Sequence, residues 1–433
     1  MTVRRRVAIC YLAAGLLLCA SACADDLADG ETAFKDADYK TAVDKFRPLA
    51  EKGNPVAEYY LGLFYERGWG VSRDLNQALA WYGKAADQGD VPAEANLGLM
   101  YLDGAGVAQN YDVALKLLTK AADQGQPIAA YNVGQMYYQG RGVAKDMAIA
   151  ASWYRKAADK SFPPAEDTLG FMYANGLGVK TDTESALAWM RKSAEAGYAD
   201  AQYYLGTQYL NGNIVAKDSA QAVEWLTKAS DQGLVEAETA LAMMYKRGDG
   251  VQQDYPRAVA LLTRAANQGH AQAESILGDM YLDGSGVAQD PSAAAALYQK
   301  AADQNDPRAE YALGWMYAKG QGMPKDAGRA IGLLTRAAQA GDAKGEAALG
   351  VMYANGNGIA RDDSQAFSWF QKAADQGEAT AQYFLGVSFE LGRGVKSDIK
   401  QAEHWYSLAA QQQFGPAQKA LERLGTDGSG NIH

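Results

Sequence analysis

"GLFYERGWGVSRDLNQALAWYGKAADQG", residues 62–89, and "GLMYLDGAGVAQNYDVALKLLTKAADQG", residues 98–125, are one pattern written twice, 36 residues apart. The Leu61-Gly62 pair recurs as Leu97-Gly98, Val133-Gly134, Leu169-Gly170, Leu205-Gly206, Leu241-Ala242, Leu277-Gly278, Leu313-Gly314, Leu349-Gly350 and Leu385-Gly386, always at the same step and without insertion. Ten units therefore fill residues 55–414. A chain of 433 residues would ordinarily divide into two or three domains, but a strict period of this length marks a repeat array instead. The 48% hydrophobic content, with no long charge run, excludes a disordered chain.

Each unit reads as two short helices. Ala57, Leu61, Gly62, Phe64 and Tyr65 fall on one side of a first helix, A, at 100° per residue. Gly68, matched in all ten units, supplies the left-handed residue that ends it, and Gly70 is matched in nine. An Asp or Asn then follows (Asp74, Asn110, Asp146, Asp182, Asp218), placed to cap a second helix, B, and Pro291 after Asp290 takes the favoured first helical position. Helix B carries Ala78, Trp81, Tyr82, Ala85 and Ala86 as its buried stripe and stops at Gly89. Two short helices cannot bury both stripes alone, so each unit must stack on its neighbours.

The pattern from Ala57 through Leu61-Gly62, Tyr65, Gly68-x-Gly70-Val71, Asp74, Ala78, Trp81 and Lys84-Ala85-Ala86 to Gly89 resembles the Sel1-like repeat, a relative of the tetratricopeptide repeat. Departures are few: Ile214-Val215 in the fifth unit, Ala242 in the sixth and Ser388-Phe389 in the tenth. The resemblance implies an all-α, right-handed α-solenoid. Before the ten units, residues 25–54 read as a tetratricopeptide-like helical pair. After them, residues 415–424 read as a capping helix and 425–433 as a flexible tail.

The chain opens with Arg4–Arg6, an apolar stretch from Val7 and Ala22-Cys23-Ala24, the plan of a secretory signal peptide over residues 1–24. The apolar run is shorter than the ~20 residues of a membrane-spanning helix. All three cysteines, Cys10, Cys19 and Cys23, lie in this leader, so cleavage after Ala24 leaves a chain without disulfides. Ala20-Ser21-Ala22-Cys23 is also a weak lipobox, and acylation at Cys23 stands beside plain cleavage as a second reading. Loss of the three arginines leaves 38 basic against 51 acidic residues, a net charge of −13 that repels nucleic-acid backbones.

Catalytic or cofactor chemistry finds little support. The three histidines, His270, His404 and His433, share no spacing with a nucleophile or a metal site, so neither a cofactor nor a metal is expected. Pairs such as Gly104-x-Gly106 lack the strand and lysine of a phosphate loop and read as turn punctuation. Some cysteine-rich members of the resembled family are connected with β-lactam hydrolysis, but the mature chain lacks those cysteines; it is expected not to be an enzyme. Lys84 and its equivalents form a basic column near the end of each helix B, read either as a docking rail or as ordinary solvation with favourable helix-dipole contacts.

The outer sides of the two helices differ. Helix B turns Asn76, Gln77, Lys84 and Asp87 outward, as a solvated wall should. The corresponding side of helix A carries Val56, Tyr59 and Leu63, then Tyr131 and Tyr138, Phe171, Tyr203, Tyr311 and Trp315, an unusually aromatic surface. In tetratricopeptide-type solenoids helix A lines the concave side. The resemblance thus implies that Tyr131, Tyr138, Phe171, Tyr203, Tyr311 and Trp315 bind a partner there; filling of gaps between successive A helices is the competing use. The expected function is that of an exported, non-enzymatic scaffold or regulator binding an envelope protein, a signalling protein or a host factor. The alternative is an envelope component that organises exopolysaccharide export or binds glycans.

Overall fold

The computed structural model describes residues 21–427, with side chains from 26 to 425. The leader expected over residues 1–24, with the Cys23 side chain, and the tail expected over 425–433 fall largely outside those residues. Among the described residues there are 23 helices and no strand. They form two compact units, one ending at Ala201 and one beginning at Gln202.

The first unit opens with the helical pair Ser21–Lys35 and Tyr39–Glu51. Its rings close that end of the core: Tyr39 stacks on Trp69 at 4.8 Å and Phe46 on Tyr60 at 4.4 Å. Four repeats follow, each a helix A and a helix B, from Pro55–Arg67 and Leu75–Asp87 to Pro163–Asn175 and Thr183–Glu195. One position of helix B forms the spine of this core. Tyr82, Leu118, Tyr154 and Met190 stand there at successive 36-residue steps, all fully buried. Helix A meets this spine through its glycine, and a Cβ on Gly134 would lie 2.9 Å from the Tyr154 ring. That contact is why the Leu-Gly pair marks the period so sharply.

The second unit continues the plan with Leu226, Leu262, Tyr298, Leu334, Phe370 and Tyr406 in the spine position, each buried. It ends on the helix Gly415–Asp427, three residues beyond the expected bound of 424. Ala417 and Leu421 stand 36 residues after Ala381 and Leu385, so this is an eleventh helix A, packed on Ala402, Tyr406 and Ala409.

Local chemistry sets the helix ends. In all ten repeats the side chain of the Asp or Asn preceding helix B accepts a hydrogen bond from a backbone N–H of the first turn. The first loop glycine has φ between 66° and 77° throughout, the left-handed region. The second loop glycine has a different task. A Cβ on Gly106 would lie 2.6 Å from the Cβ of Leu75, so this loop seats on the start of the preceding helix B. Ile399 holds Leu75's place in the last repeat, and it is 46% exposed because no loop among the described residues covers it.

Candidate partner-binding face

Helix B presents Asn76, Gln77, Lys84 and Asp87 to solvent, as its pattern requires. In five repeats the tryptophan at the Trp81 place, partly covered as Trp81, Trp153, Trp189 and Trp369 and buried as Trp225, has a lysine three residues on lying over its ring, at 3.8 Å for Lys84 on Trp81 and 3.9 Å for Lys228 on Trp225. The expected burial of Trp81 is therefore half met by its own repeat's lysine.

The same basic column is tied inward at its charged end. Glu58, Glu94, Glu166, Glu238, Glu274, Glu310 and Glu346 recur on helix A, each 5% exposed or less. Lys120 lies 2.5 Å from Glu94, Lys192 2.8 Å from Glu166, Arg264 2.6 Å from Glu238 and Arg336 2.8 Å from Glu310. A glutamine at the end of helix B adds a hydrogen bond, as Gln88 does to Glu58 at 2.7 Å and Gln376 to Glu346 at 2.7 Å. Burial holds the Glu58, Glu274, Glu310 and Glu346 carboxyls above the usual range, opposed by these neighbours. Much of the column thus clamps helix B onto helix A. Sequence reasoning missed its acidic half, although a glutamate directly after Ala57 at the 36-residue step was a visible signal.

The six aromatic residues of the helix-A face are not equivalent. In the first unit Tyr131 packs its ring at 5.5 Å against both Tyr154 and Phe162, and Gln135 Nε2 donates to its hydroxyl at 2.9 Å. Burial raises its pKa. Tyr138 meets Tyr154 edge-on at 6.5 Å. Both are half-buried against the repeat core. Phe171 differs: it is 38% exposed, at the place on helix A held by Leu99 and Gln135 in the two preceding repeats. In the second unit Tyr203 is half-buried. Tyr311 and Trp315 lean on a core of Ala330, Leu334 and Met352, with Lys319 Nζ 4.7 Å from the Trp315 ring. Leu63, assigned by the helical wheel to the same outer side, is also drawn inward at 7% exposed, and three residues on Glu66 accepts a hydrogen bond from the Tyr82 hydroxyl at 2.8 Å.

In the first unit, Leu99, Gln135 and Phe171 make a half-exposed row at one helix-A position, with the partly covered Pro92 and Ile128 seven residues before Leu99 and Gln135 on the same helices. Among the described residues no group of three His, Cys, Asp or Glu side chains is placed to hold a metal ion, and no helix is long and apolar enough to cross a membrane.

No curated protein matches the chain. The crystal structure of a protective antigen present in uropathogenic Escherichia coli strains, displaying an SLR fold, is similar at 32% identity, covering 94% of this chain and 88% of that one with a TM-score of 0.78. A Sel1 repeat protein from Oxalobacter formigenes is also 32% identical, covering 71% of this chain and 90% of that one, with a TM-score of 0.55. The Sel1 repeat pattern itself matches ten consecutive segments, from residues 55–90 and 91–126 to 343–378 and 379–414. Repeat scaffolds of this type generally mediate protein–protein interaction and are typically non-enzymatic. With its 36-residue period, glycine-seated helix pairs and ten matched segments, the chain belongs to the Sel1 repeat family.

Proposed function

We propose that this protein is an exported, non-enzymatic scaffold that binds a protein partner along the helix-A face of its repeats. The observation that carries the reading is Phe171. A phenylalanine 38% exposed, in line with the half-exposed Leu99, offers an apolar anchor on a face where Tyr131 and Tyr138 form a firm aromatic floor. Helix B, by contrast, is solvated by Asn, Gln, Lys and Asp. Trp315 and Tyr311 supply a second anchor point within the other unit, and Tyr203 belongs to the same face. Anchors of this kind typically contribute more than ~2 kcal/mol to binding.

The test is capture of an envelope partner by wild type and by Phe171→Ala. The substitution removes a side chain that the core scarcely uses, so helicity and melting should stay unchanged while capture falls tenfold or more. Equal capture by both proteins removes the helix-A face from the proposal. Export is tested separately by intact mass: a chain beginning at Asp25 supports a released protein, and a diacylglyceryl mass on Cys23 supports an anchored one.

A further inference from the structure

We infer that the third repeat carries a binding site for a carboxylate, in the place where seven of the other nine repeats bury one of their own. Seven repeats fill the helix-A position after Ala57 with glutamate, and the fifth and tenth use Gln202 and Gln382, all nearly inaccessible to water. In the third repeat the residue is Ala130. A cavity of about 300 Å³ opens there, lined by Asp123, Gln124, Gln126, Pro127, Ala130, Lys156 and Lys160.

Its surroundings have changed with it. Lys156 is the equivalent of Lys120 and Lys192, which pair with the buried Glu94 and Glu166. Without such a glutamate, Lys156 turns to Asp123 of the preceding repeat at 2.7 Å. Lys160 stands where the first, second, sixth, seventh and ninth repeats place the glutamine that donates to the buried acid. Relative to its siblings the site has lost one carboxylate and gained one ammonium, and both lysines are exposed. The fold itself therefore supplies the template for the guest: a carboxylate, held by the lysine of the helix-B end and by a second cation beside it. The mature chain, with 38 basic against 51 acidic residues, repels carboxylates in general, so saturable uptake at this point is diagnostic. The cavity lies at the link between the second and third repeats, away from Phe171, and the inference is independent of partner binding on the helix-A face.

The carboxylate has two possible sources, a small dicarboxylic acid or a glutamate side chain of a peptide, and the experiment separates them. The full mature chain is titrated calorimetrically at low salt with glutarate and, in a second arm, with acetylated and amidated hexaglutamate. The proteins are wild type, Ala130→Glu, which restores the sibling residue, and Lys160→Gln, which restores the sibling glutamine. Wild type should bind at least one probe saturably, with affinity at least tenfold lower in Ala130→Glu and severalfold lower in Lys160→Gln. Glutarate binding assigns the site to small acids, and binding of the peptide alone assigns it to an acidic segment. Both restored variants keep sibling chemistry, and thermal unfolding verifies their folding. Absence of saturable binding of either probe by wild type, or binding unchanged in folded Ala130→Glu, overturns the inference.

Discussion

The Glu238 carboxylate, wholly removed from water, lies 2.6 Å from the guanidinium of Arg264 on the other helix of its repeat. Arg264 also donates to the Ser230 carbonyl at 2.8 Å, so one exposed side chain ties three segments together. Removing it strands a buried charge. Arg264→Met should lower stability by about 1–3 kcal/mol, and the double variant Arg264→Met with Glu238→Gln should recover much of that loss. Thermal unfolding of the two variants checks the sign and the recovery.

Tight helix contact at the spine gives a second expectation. A Cβ on Gly170 would lie 2.7 Å from Met190 Cγ and 3.0 Å from the Ala186 carbonyl oxygen. Gly170→Leu should therefore overpack the contact at a cost of about 1–3 kcal/mol. Gly176 sits at φ 66° and should resist valine for a backbone reason instead. Circular dichroism melts of both variants test the pair, and unchanged midpoints would contradict the repeat geometry.

These glycines, the caps and the period were legible because each is a local rule repeated nine or ten times. The acidic column was not, since a helical wheel assigns charges to water by default. Glu94 and Lys120 meet only because helix B folds back along helix A, 26 residues later in the chain. For the candidate face, the wheel located Tyr131 and Phe171 on one side but carried no information on what covers them. Tyr131 is roofed by Phe162 from the inter-repeat link, whereas Phe171 is left open.

Helix B ends in a left-handed residue that is usually glycine, but Ser161 and Gln413 hold it at φ 55° and 62°. Conformational cost at these two positions should be relieved by glycine. Ser161→Gly and Gln413→Gly should each raise stability by roughly 0.5–1 kcal/mol, read as a higher denaturation midpoint.

The Asp167 carboxyl, on helix A of the fourth repeat, is pushed up to about 7 by burial and then by the neighbouring Asp200 charge. Tyr131 and Tyr198 share its surroundings. From the ordinary carboxylate range up to about pH 7, the folded state holds a proton that the unfolded state has released. Stability therefore falls as pH rises across that window, and the full cost is present above it. Asp167→Asn should stabilise the protein at pH 8 by on the order of 1–3 kcal/mol and leave it nearly unchanged at pH 4. Melting curves at the two pH values give the comparison.

Partner binding on the helix-A face is tested most directly by site-specific photocrosslinking of the protein in living cells. A benzoylphenylalanine is placed at Leu99, Gln135 or Phe171 on helix A, and at the exposed Ser152 or Ala188 on helix B. The helix-A positions should give one discrete adduct of the same partner, strongest at Phe171, and the helix-B positions should give none. Adducts confined to Ser152 and Ala188 would place the partner on the opposite wall and contradict the proposed function.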